Sequence, residues 1–188
     1  MAINMEAISG TPFYQAAFKA ISKLMESRLR YRFWGPQTIL QQAALRPGQT
    51  VLEIGCGTGF FSIPAAGQLG EGGKLYALDI SPDALEEVTR RQRKAGLANI
   101  FPVRASALAC GLPDGCIDTV LLFGVIPSPT LPLSNLLAEL QRVLRPGGSL
   151  ALWTAFPWEL PKAITSTGSF SMVSKGKNVF LFRKTGGQ

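Results

Sequence analysis

The sequence predicts an α/β protein with one doubly wound sheet and helices on both of its faces. Short apolar segments that suit buried strands alternate with segments of helical periodicity along most of the chain. A glycine-rich turn follows the first strand, and a carboxylate, Asp79, ends the second. Strands and helices that alternate in this way form a mostly parallel sheet, with ligands at the carboxyl ends of its strands. The segments 170–174 and 179–183 are separated only by a short turn, and they predict a closing antiparallel hairpin.

The composition is that of a single globular domain. The chain has 188 residues, 46% of them apolar, a net charge of +7 and no histidine. No apolar run approaches the ~20 residues of a membrane span, and we expect no signal peptide. Its 3 cysteines have no zinc-like spacing, so we expect no metal site and a cytoplasmic protein. The positive charge suits nucleic acid, an anionic membrane or an acidic substrate, or it serves solubility alone.

Residues 1–46 predict a helical lid or cap, and residues 47–188 predict the core of the same domain. Apolar residues recur at helical spacing over residues 13–32, where basic residues accumulate towards the end. Two interpretations fit: an amphipathic helix with a solvated basic side, or a lid or membrane-surface helix with Phe33 and Trp34 at the interface. A second short helix is expected at residues 37–44.

The first strand and the turn after it carry the most specific chemical signal. The strand, residues 50–54, leads into the pattern Glu53-x-Gly55-x-Gly57-x-Gly59. Glycines allow backbone N–H groups to approach a ligand, and a helix expected at residues 60–69 adds partial positive charge. The spacing is not that of a dinucleotide site, whose third glycine would fall on Phe60, nor that of a phosphate P-loop. Glu53 would accept a hydrogen bond from a cationic ligand or hold the loop in shape. Pro64 is expected to remove a hydrogen bond from the helix and bend it.

The second strand, residues 74–79, brings a carboxylate to the same edge of the sheet. Asp79 follows the glycine loop by about 20 residues, the position from which a carboxylate binds a ribose diol. Ser81 can cap the next helix, with Pro82 in its first turn, so we expect Asp79 to be available to a ligand. Four cations near the end of that helix are expected to form a solvated face: Arg90, Arg91, Arg93 and Lys94.

Three further strands are expected, at residues 100–104, 119–123 and 149–154. The run Leu112-Pro113-Asp114-Gly115-Cys116-Ile117-Asp118 leads into the fourth strand. Asp118 should be structural, because it precedes that strand at the end away from the ligand. An apolar helix at residues 133–144 should end at Arg145-Pro146-Gly147-Gly148, which forms a helix stop and a tight turn before the fifth strand.

These motifs, taken in order over residues 49–184, resemble the class I S-adenosylmethionine (SAM)-dependent methyltransferases, in particular the type 11 and ubiquinone-biosynthesis groups. The resemblance implies a Rossmann-like sheet of seven strands in the order 3-2-1-4-5-7-6, with SAM as cofactor and S-adenosylhomocysteine as product. The cofactor-binding residues that it implies are Glu53, Gly55, Cys56, Gly57, Gly59, Phe60, Asp79, Ile80, Ser106, Ala107 and Phe123. Many similar enzymes carry an aspartate in place of Ser106, where it contacts the adenine amino group. A serine hydroxyl accepts a hydrogen bond more weakly, so backbone groups around Ala107 would contribute more here.

Three functions remain open on these residues. The first is methyl transfer to a small hydrophobic acceptor, which the apolar rim of Phe123, Val125 and Ile126 supports. The second is methyl transfer to RNA or to a membrane-associated lipid or quinone, which the basic balance suggests. The chain lacks an Asn/Asp-Pro-Pro-Tyr/Phe motif, so nucleic acid is the less favoured partner, and peripheral membrane contact stays open.

The third is a catalytically degenerate SAM-binding module, which the missing histidine and Ser106 suggest. In-line methyl transfer depends mainly on positioning and on the exclusion of water, so a conspicuous catalytic side chain is not required. We therefore assign no catalytic residue. A monomer and a homodimer are both compatible with the sequence.

Overall fold

A computed structural model describes residues 35–126, 131–154, 160–176 and 179–186. The strands are β1 (Thr50–Ile54), β2 (Lys74–Asp79), β3 (Ile100–Arg104), β4 (Ile117–Phe123), β5 (Leu144–Trp153), β6 (Phe170–Lys175) and β7 (Val179–Lys184). The helices are α1 (Pro36–Gln41), α2 (Ser62–Leu69), α3 (Pro82–Lys94), α4 (Leu133–Val143) and α5 (Leu160–Ser166). The N-terminal cap expected at residues 13–32, with Phe33 and Trp34, lies outside the described residues, as do residues 127–130 and part of the hairpin turn.

The strands form one sheet of seven in the order β3-β2-β1-β4-β5-β7-β6. The pairs from β3 to β5 are parallel, whereas β7 pairs antiparallel with both β5 and β6. The predicted fold class, strand order and closing hairpin are thus confirmed. Because β1 lies between β2 and β4, the chain changes direction across the sheet beside β1, and such a switch point is where this architecture places its ligands.

The two faces of the sheet carry separate apolar cores. Side chains alternate along a strand, so Val51 of β1 packs on one face among residues of α1, α2 and α3. Its neighbours Leu52 and Ile54 pack on the other face with α4 and with Ile164 of α5. By the same alternation Glu53 points to the first face, under α2. Within the described residues, no helix is long and apolar enough to cross a membrane.

The helix after the glycine loop begins at Ser62 rather than at residue 60, so Pro64 stands in the first turn of α2. The residues on either side of Pro64 donate to carbonyl groups four residues earlier, Ile63 to Gly59 at 3.2 Å and Ala65 to Phe61 at 2.9 Å. Proline has no N–H, so it leaves one gap in this series, as the sequence predicted.

Strand β5 begins earlier than the sequence indicated, because the proline–glycine–glycine run belongs to the strand. Leu144 follows α4 directly and pairs with Ile117, and the next pair joins Thr119 to Ser149. The residues between these pairs form a bulge, in which Gly147 has a φ of +69°. The run still ends the helix, as predicted, but a bulged strand takes the place of a separate turn.

Asp118 connects this bulge to β1, the central strand of the parallel part of the sheet. Its carboxylate accepts a hydrogen bond from the backbone N–H of Thr50 at 2.6 Å and pairs with Arg145 at 2.7 Å. The residue lies inside β4, not before it, and at the amino end of the strand. These contacts agree with the structural role that the sequence suggested for Asp118.

Candidate functional site

The turn after β1 is held against β2 by hydrogen bonds. The N–H groups of Gly55 and Cys56 both donate to the carbonyl oxygen of Leu78, at 2.8 and 3.0 Å. The N–H of Gly59 donates to the carbonyl of Cys56 at 2.9 Å and closes the turn. The loop is therefore held at the carboxyl edge of the sheet, at the start of α2.

The three glycines of the loop have different roles. A Cβ on Gly55 would lie 2.8 Å from Cγ2 of Val125, and one on Gly59 would lie 3.2 Å from Cγ2 of Val88. Both glycines permit close packing. Gly57 also has a positive φ, +51°, but a Cβ there would meet no atom within 4 Å. The surface above Gly57 is therefore an open cradle with backbone at its base, which fits a ligand that approaches the main chain.

Asp79 connects this loop to the start of α3. One carboxylate oxygen accepts a hydrogen bond from the N–H of Gly57 at 2.9 Å, and the other accepts from the N–H of Ser81 at 2.9 Å. Burial raises the pKa of Asp79, and the hydrogen bonds from backbone N–H groups oppose that rise. Asp79 was expected to be available to a ligand; both of its oxygens already accept backbone hydrogen bonds, and a carboxylate has about four acceptor sites, so acceptor capacity remains.

The predicted cap of α3 is confirmed. The hydroxyl of Ser81 accepts a hydrogen bond from the N–H of Ala84 at 3.4 Å, with Pro82 in the first turn of the helix. Ser81 therefore takes the capping role that Asp79 would otherwise have had, and the carboxylate is directed towards the glycine loop.

Glu53 is a buried carboxyl beneath the loop, with 2% of its surface exposed. It accepts a hydrogen bond at 2.5 Å from the hydroxyl of Ser62, the first residue of α2. Burial raises the pKa of Glu53 to about 8, the Ser62 hydrogen bond opposes this, and the charge of Asp79 adds to it. In the folded protein without a ligand, Glu53 is thus mainly protonated at neutral pH, and it joins the two ends of the loop.

Four aromatic rings pack together in the core on the face of the sheet to which Glu53 points. The ring of Phe61 lies 4.9 Å from that of Phe60, 5.0 Å from that of Phe123 and 6.0 Å from that of Trp153. The rings are buried and pack edge to face or tilted, the arrangements that aromatic pairs prefer. This aromatic cluster forms part of the apolar core under the loop. Phe123, a predicted cofactor residue, is part of it.

The remaining predicted residues lie along the same edge. Ile80 is half-buried directly after β2, and Ala107 is buried after β3. The hydroxyl of Ser106 accepts a hydrogen bond from the N–H of Leu108 at 3.2 Å, so it shapes its own turn. Cys56 is buried, which raises the pKa of its thiol and keeps it neutral.

Sequence reasoning missed one residue of this site, Ser62, and it named Val125 as part of the apolar rim without its contact with the glycine loop. Ser62 is fully buried and holds Glu53, and Val125 packs against Gly55. A lone hydroxyl in the apolar run Phe60-Phe61-Ser62-Ile63 was the available signal for Ser62. No local signal indicates that Val125 reaches the glycine loop, because the two segments are far apart in the chain.

Comparisons with known proteins agree with this geometry. Residues 51–148 match the family described as a methyltransferase domain. The chain is 32% identical over 119 residues to the demethylmenaquinone methyltransferase of Listeria welshimeri. This match covers 63% of this chain and 49% of that protein. It is 30% identical over 148 residues to the ubiquinone/menaquinone biosynthesis C-methyltransferase UbiE of Shewanella frigidimarina, covering 77% of this chain and 58% of that protein.

The chain spans about half the length of the curated relatives that it matches first. Among solved structures, a SAM-dependent methyltransferase from Aquifex aeolicus superposes with a TM-score of 0.74 at 26% identity, over 89% of this chain and 97% of that chain. The family match, the strand order and the loop at the switch point all lead to one assignment. The chain belongs to the class I SAM-dependent methyltransferases.

Proposed function

We propose that this chain transfers the methyl group of SAM to a small hydrophobic acceptor of the quinol or phenol type. The observation that carries the cofactor part is the 2.9 Å hydrogen bond between the N–H of Gly57 and Asp79. It places a carboxylate with spare acceptor capacity beside an open glycine cradle at the switch point of the sheet. SAM, when bound, supplies an electrophilic methyl group on a positively charged sulfonium.

The residues of the site fit such a cation. Asp79 would accept hydrogen bonds from the ribose hydroxyls, and the open backbone at Gly57 would lie against the ligand. Glu53 is a second acidic group on the inner side of the loop. A nearby positive charge favours the carboxylate over the carboxylic acid, so cation binding and proton release from Glu53 would be coupled.

The acceptor part rests on the apolar residues past β4 and on the relatives. Val125 is half-buried and covers Gly55, and Ile126 is buried beside it in the core, so the side chains that form this rim are hydrocarbon. The curated relatives named above are methyltransferases of menaquinone or ubiquinone biosynthesis. The chain has no histidine to serve as a base. An electron-rich quinol ring is already nucleophilic, so alignment and the exclusion of water could supply much of the catalysis.

The test is transfer of isotope-labelled methyl from SAM to a short-chain naphthoquinol kept reduced in detergent, with a phenol, a thiol and an amine as parallel acceptors. We expect label in the naphthoquinol. Transfer only to the thiol or the amine would overturn the acceptor class. A folded protein that binds neither SAM nor S-adenosylhomocysteine in calorimetry would overturn the methyltransferase function itself.

A further inference from the structure

The hydroxyl of Ser62 lies at the start of a helix but does not cap it. A serine near a helix start commonly accepts a hydrogen bond from a backbone N–H of the first turn, as Ser81 does for α3. Helix α2 has no side-chain cap. The Ser62 hydroxyl instead donates to Oε2 of Glu53 at 2.5 Å, between α2 and β1. The hydroxyl therefore serves the carboxyl group of Glu53 and not the end of the helix.

The Ser62–Glu53 pair lies among apolar neighbours. Ser62 is fully buried, and Glu53 exposes 2% of its surface. In the sheet, Glu53 stands between Ala77 of β2 and Leu121 of β4, which are both fully buried. Their side chains have no hydrogen-bond donor, so among the described residues the Ser62 hydroxyl is the side-chain donor to this carboxyl group.

The titratable groups that face Glu53 are themselves acids. The charge of Asp79 acts on Glu53, and the charge of Glu53 acts on the thiol of Cys56. In the part of the chain that the structure describes, no lysine or arginine is among the causes that shift the pKa of Glu53. Burial raises that pKa to about 8, and the Ser62 hydrogen bond opposes the rise. Since a hydrogen bond to an ionised acceptor is stronger than one to a neutral acceptor, the Ser62 hydroxyl favours the carboxylate over the acid.

We propose that Ser62 is a positioning residue that couples cofactor exchange to a proton on Glu53. When SAM binds, its positive charge and the Ser62 hydroxyl together hold Glu53 as a carboxylate, and Glu53 releases its proton to the solvent. In methyl transfer the acceptor bonds to the methyl carbon and loses a proton. The C–S bond breaks and sulfur keeps its electrons, so S-adenosylhomocysteine has no sulfonium charge. Glu53 then takes a proton back from the solvent. This rests on the proposed function, because it requires that the cation of SAM lie beside the glycine loop.

The experiment is calorimetric titration of the full chain with SAM in buffers of different ionisation enthalpy, which gives the number of protons released per SAM bound. Glu53→Gln has no such proton, so it reports the protons of every other group, including the amino group of the ligand. From a pKa of about 8, we expect the wild-type protein to release, in excess of Glu53→Gln, nearly one proton at about pH 7, about half of one at about pH 8 and about a tenth at about pH 9. S-adenosylhomocysteine should release less at about pH 7.

The test of Ser62 is the position of this pH profile. In Ser62→Ala the fall in proton release should move to higher pH. SAM binding should weaken roughly tenfold or more at about pH 7, and less at about pH 9, where ionisation of Glu53 costs less. Ser62→Thr keeps a hydroxyl and should keep the wild-type profile. Ser62→Cys has a weaker donor, so it should move the profile in the same direction as Ser62→Ala and replaces that variant if it does not fold.

The matched control is Ser81→Ala, which also removes a buried serine hydroxyl at the start of a helix. It should leave the position of the profile unchanged, because the Ser81 hydroxyl bonds a backbone N–H and not Glu53. Matching circular dichroism spectra show that the variants are folded.

Three outcomes would overturn the proposal. They are equal proton release by the wild-type protein and Glu53→Gln, a Ser62→Ala profile that does not move, and an equal shift in Ser62→Ala and Ser81→Ala. Each of these leaves the proposed function intact, since SAM still binds. A folded wild-type protein that binds neither SAM nor S-adenosylhomocysteine would instead overturn the function on which the proposal rests.

Discussion

The buried carboxyl of Glu53 should give folding stability a pH dependence that one substitution removes. Folding raises its pKa from 4.5 to about 8, mainly because burial withdraws water from the charged form. Between these values the folded protein retains a proton that the unfolded chain has released. The stability from this group is therefore fully present at low pH and is lost as the pH rises through about 8. Glutamine has nearly the same shape but cannot ionise.

The size of the effect follows from the same shift. One pKa unit corresponds to about 1.4 kcal/mol, so between about pH 5 and about pH 8 the contribution of Glu53 falls by roughly 3.5 kcal/mol. In a domain of this size, about 1 kcal/mol moves the melting temperature by about 2–4 °C. Relative to Glu53→Gln, the wild-type protein should therefore lose on the order of 10 °C across this range. The chain has no histidine that would titrate in the same window.

The assay is the melting temperature of both proteins, by circular dichroism, at half-unit steps of pH. Glu139→Gln is the matched control. Glu139 pairs with Arg142 at 2.8 Å, and its pKa is lowered to about 2 by that partner, so its contribution is constant above about pH 5. The plot of melting temperature against pH for Glu139→Gln should run parallel to that of the wild-type protein. If the plot for Glu53→Gln also runs parallel to that of the wild-type protein, our account of Glu53 is refuted.

Three further predictions concern the loop. Gly57→Val and the distant Gly48→Val both place a side chain at positive φ with open space around it, so each variant should lose about 1–2 kcal/mol of stability. Only Gly57→Val should abolish SAM binding in calorimetry. Loss of SAM binding in both variants would contradict the role of Gly57 as an open cradle. Asp79→Asn should weaken SAM binding about ten- to hundredfold, the range for a hydrogen bond to a charged group, and unchanged affinity would remove Asp79 from the ribose role. Gly55→Ala should lower the melting temperature, and adding Val125→Ala should recover part of the loss; strictly additive effects would show that the 2.8 Å contact is not the cause.

The elements that the sequence predicted are those with local signals. Strand β2 ends at Asp79 where the apolar pattern ends, and the cap of α3 is encoded by Ser81 and Pro82. Helix α5 was missed, because its short segment contains Pro161 and has little helical periodicity. In the fold, Ile164 is fully buried in the core beside β6, and this packing stabilises the helix more than propensity does.

The sequence predicted only those parts of the site that the spacing of its residues indicates. The alternate glycines and Asp79 indicate a ligand loop because each has a local backbone reason to be there. The 2.5 Å hydrogen bond from Ser62 to Glu53 and the two N–H donors of Asp79 depend on how the loop returns over the sheet. The spacing of residues in the sequence does not show how the loop returns over the sheet. The sequence indicated that Asp79 is available to a ligand, but it did not indicate the backbone N–H groups that Asp79 also binds.

The two acidic groups of the site explain why stability and cofactor binding should be linked. Burial raises the pKa of both Glu53 and Asp79, because a negative charge on either carboxyl is poorly solvated in the protein without a ligand. If SAM binds as proposed, its positive charge would lie close to these groups and relieve that cost. S-adenosylhomocysteine has lost the sulfonium charge and would relieve less of it. The same burial that destabilises the fold at high pH would then favour the binding of SAM over that of S-adenosylhomocysteine. Glu53→Gln should therefore stabilise the folded protein at high pH and reduce the difference between its affinities for SAM and for S-adenosylhomocysteine.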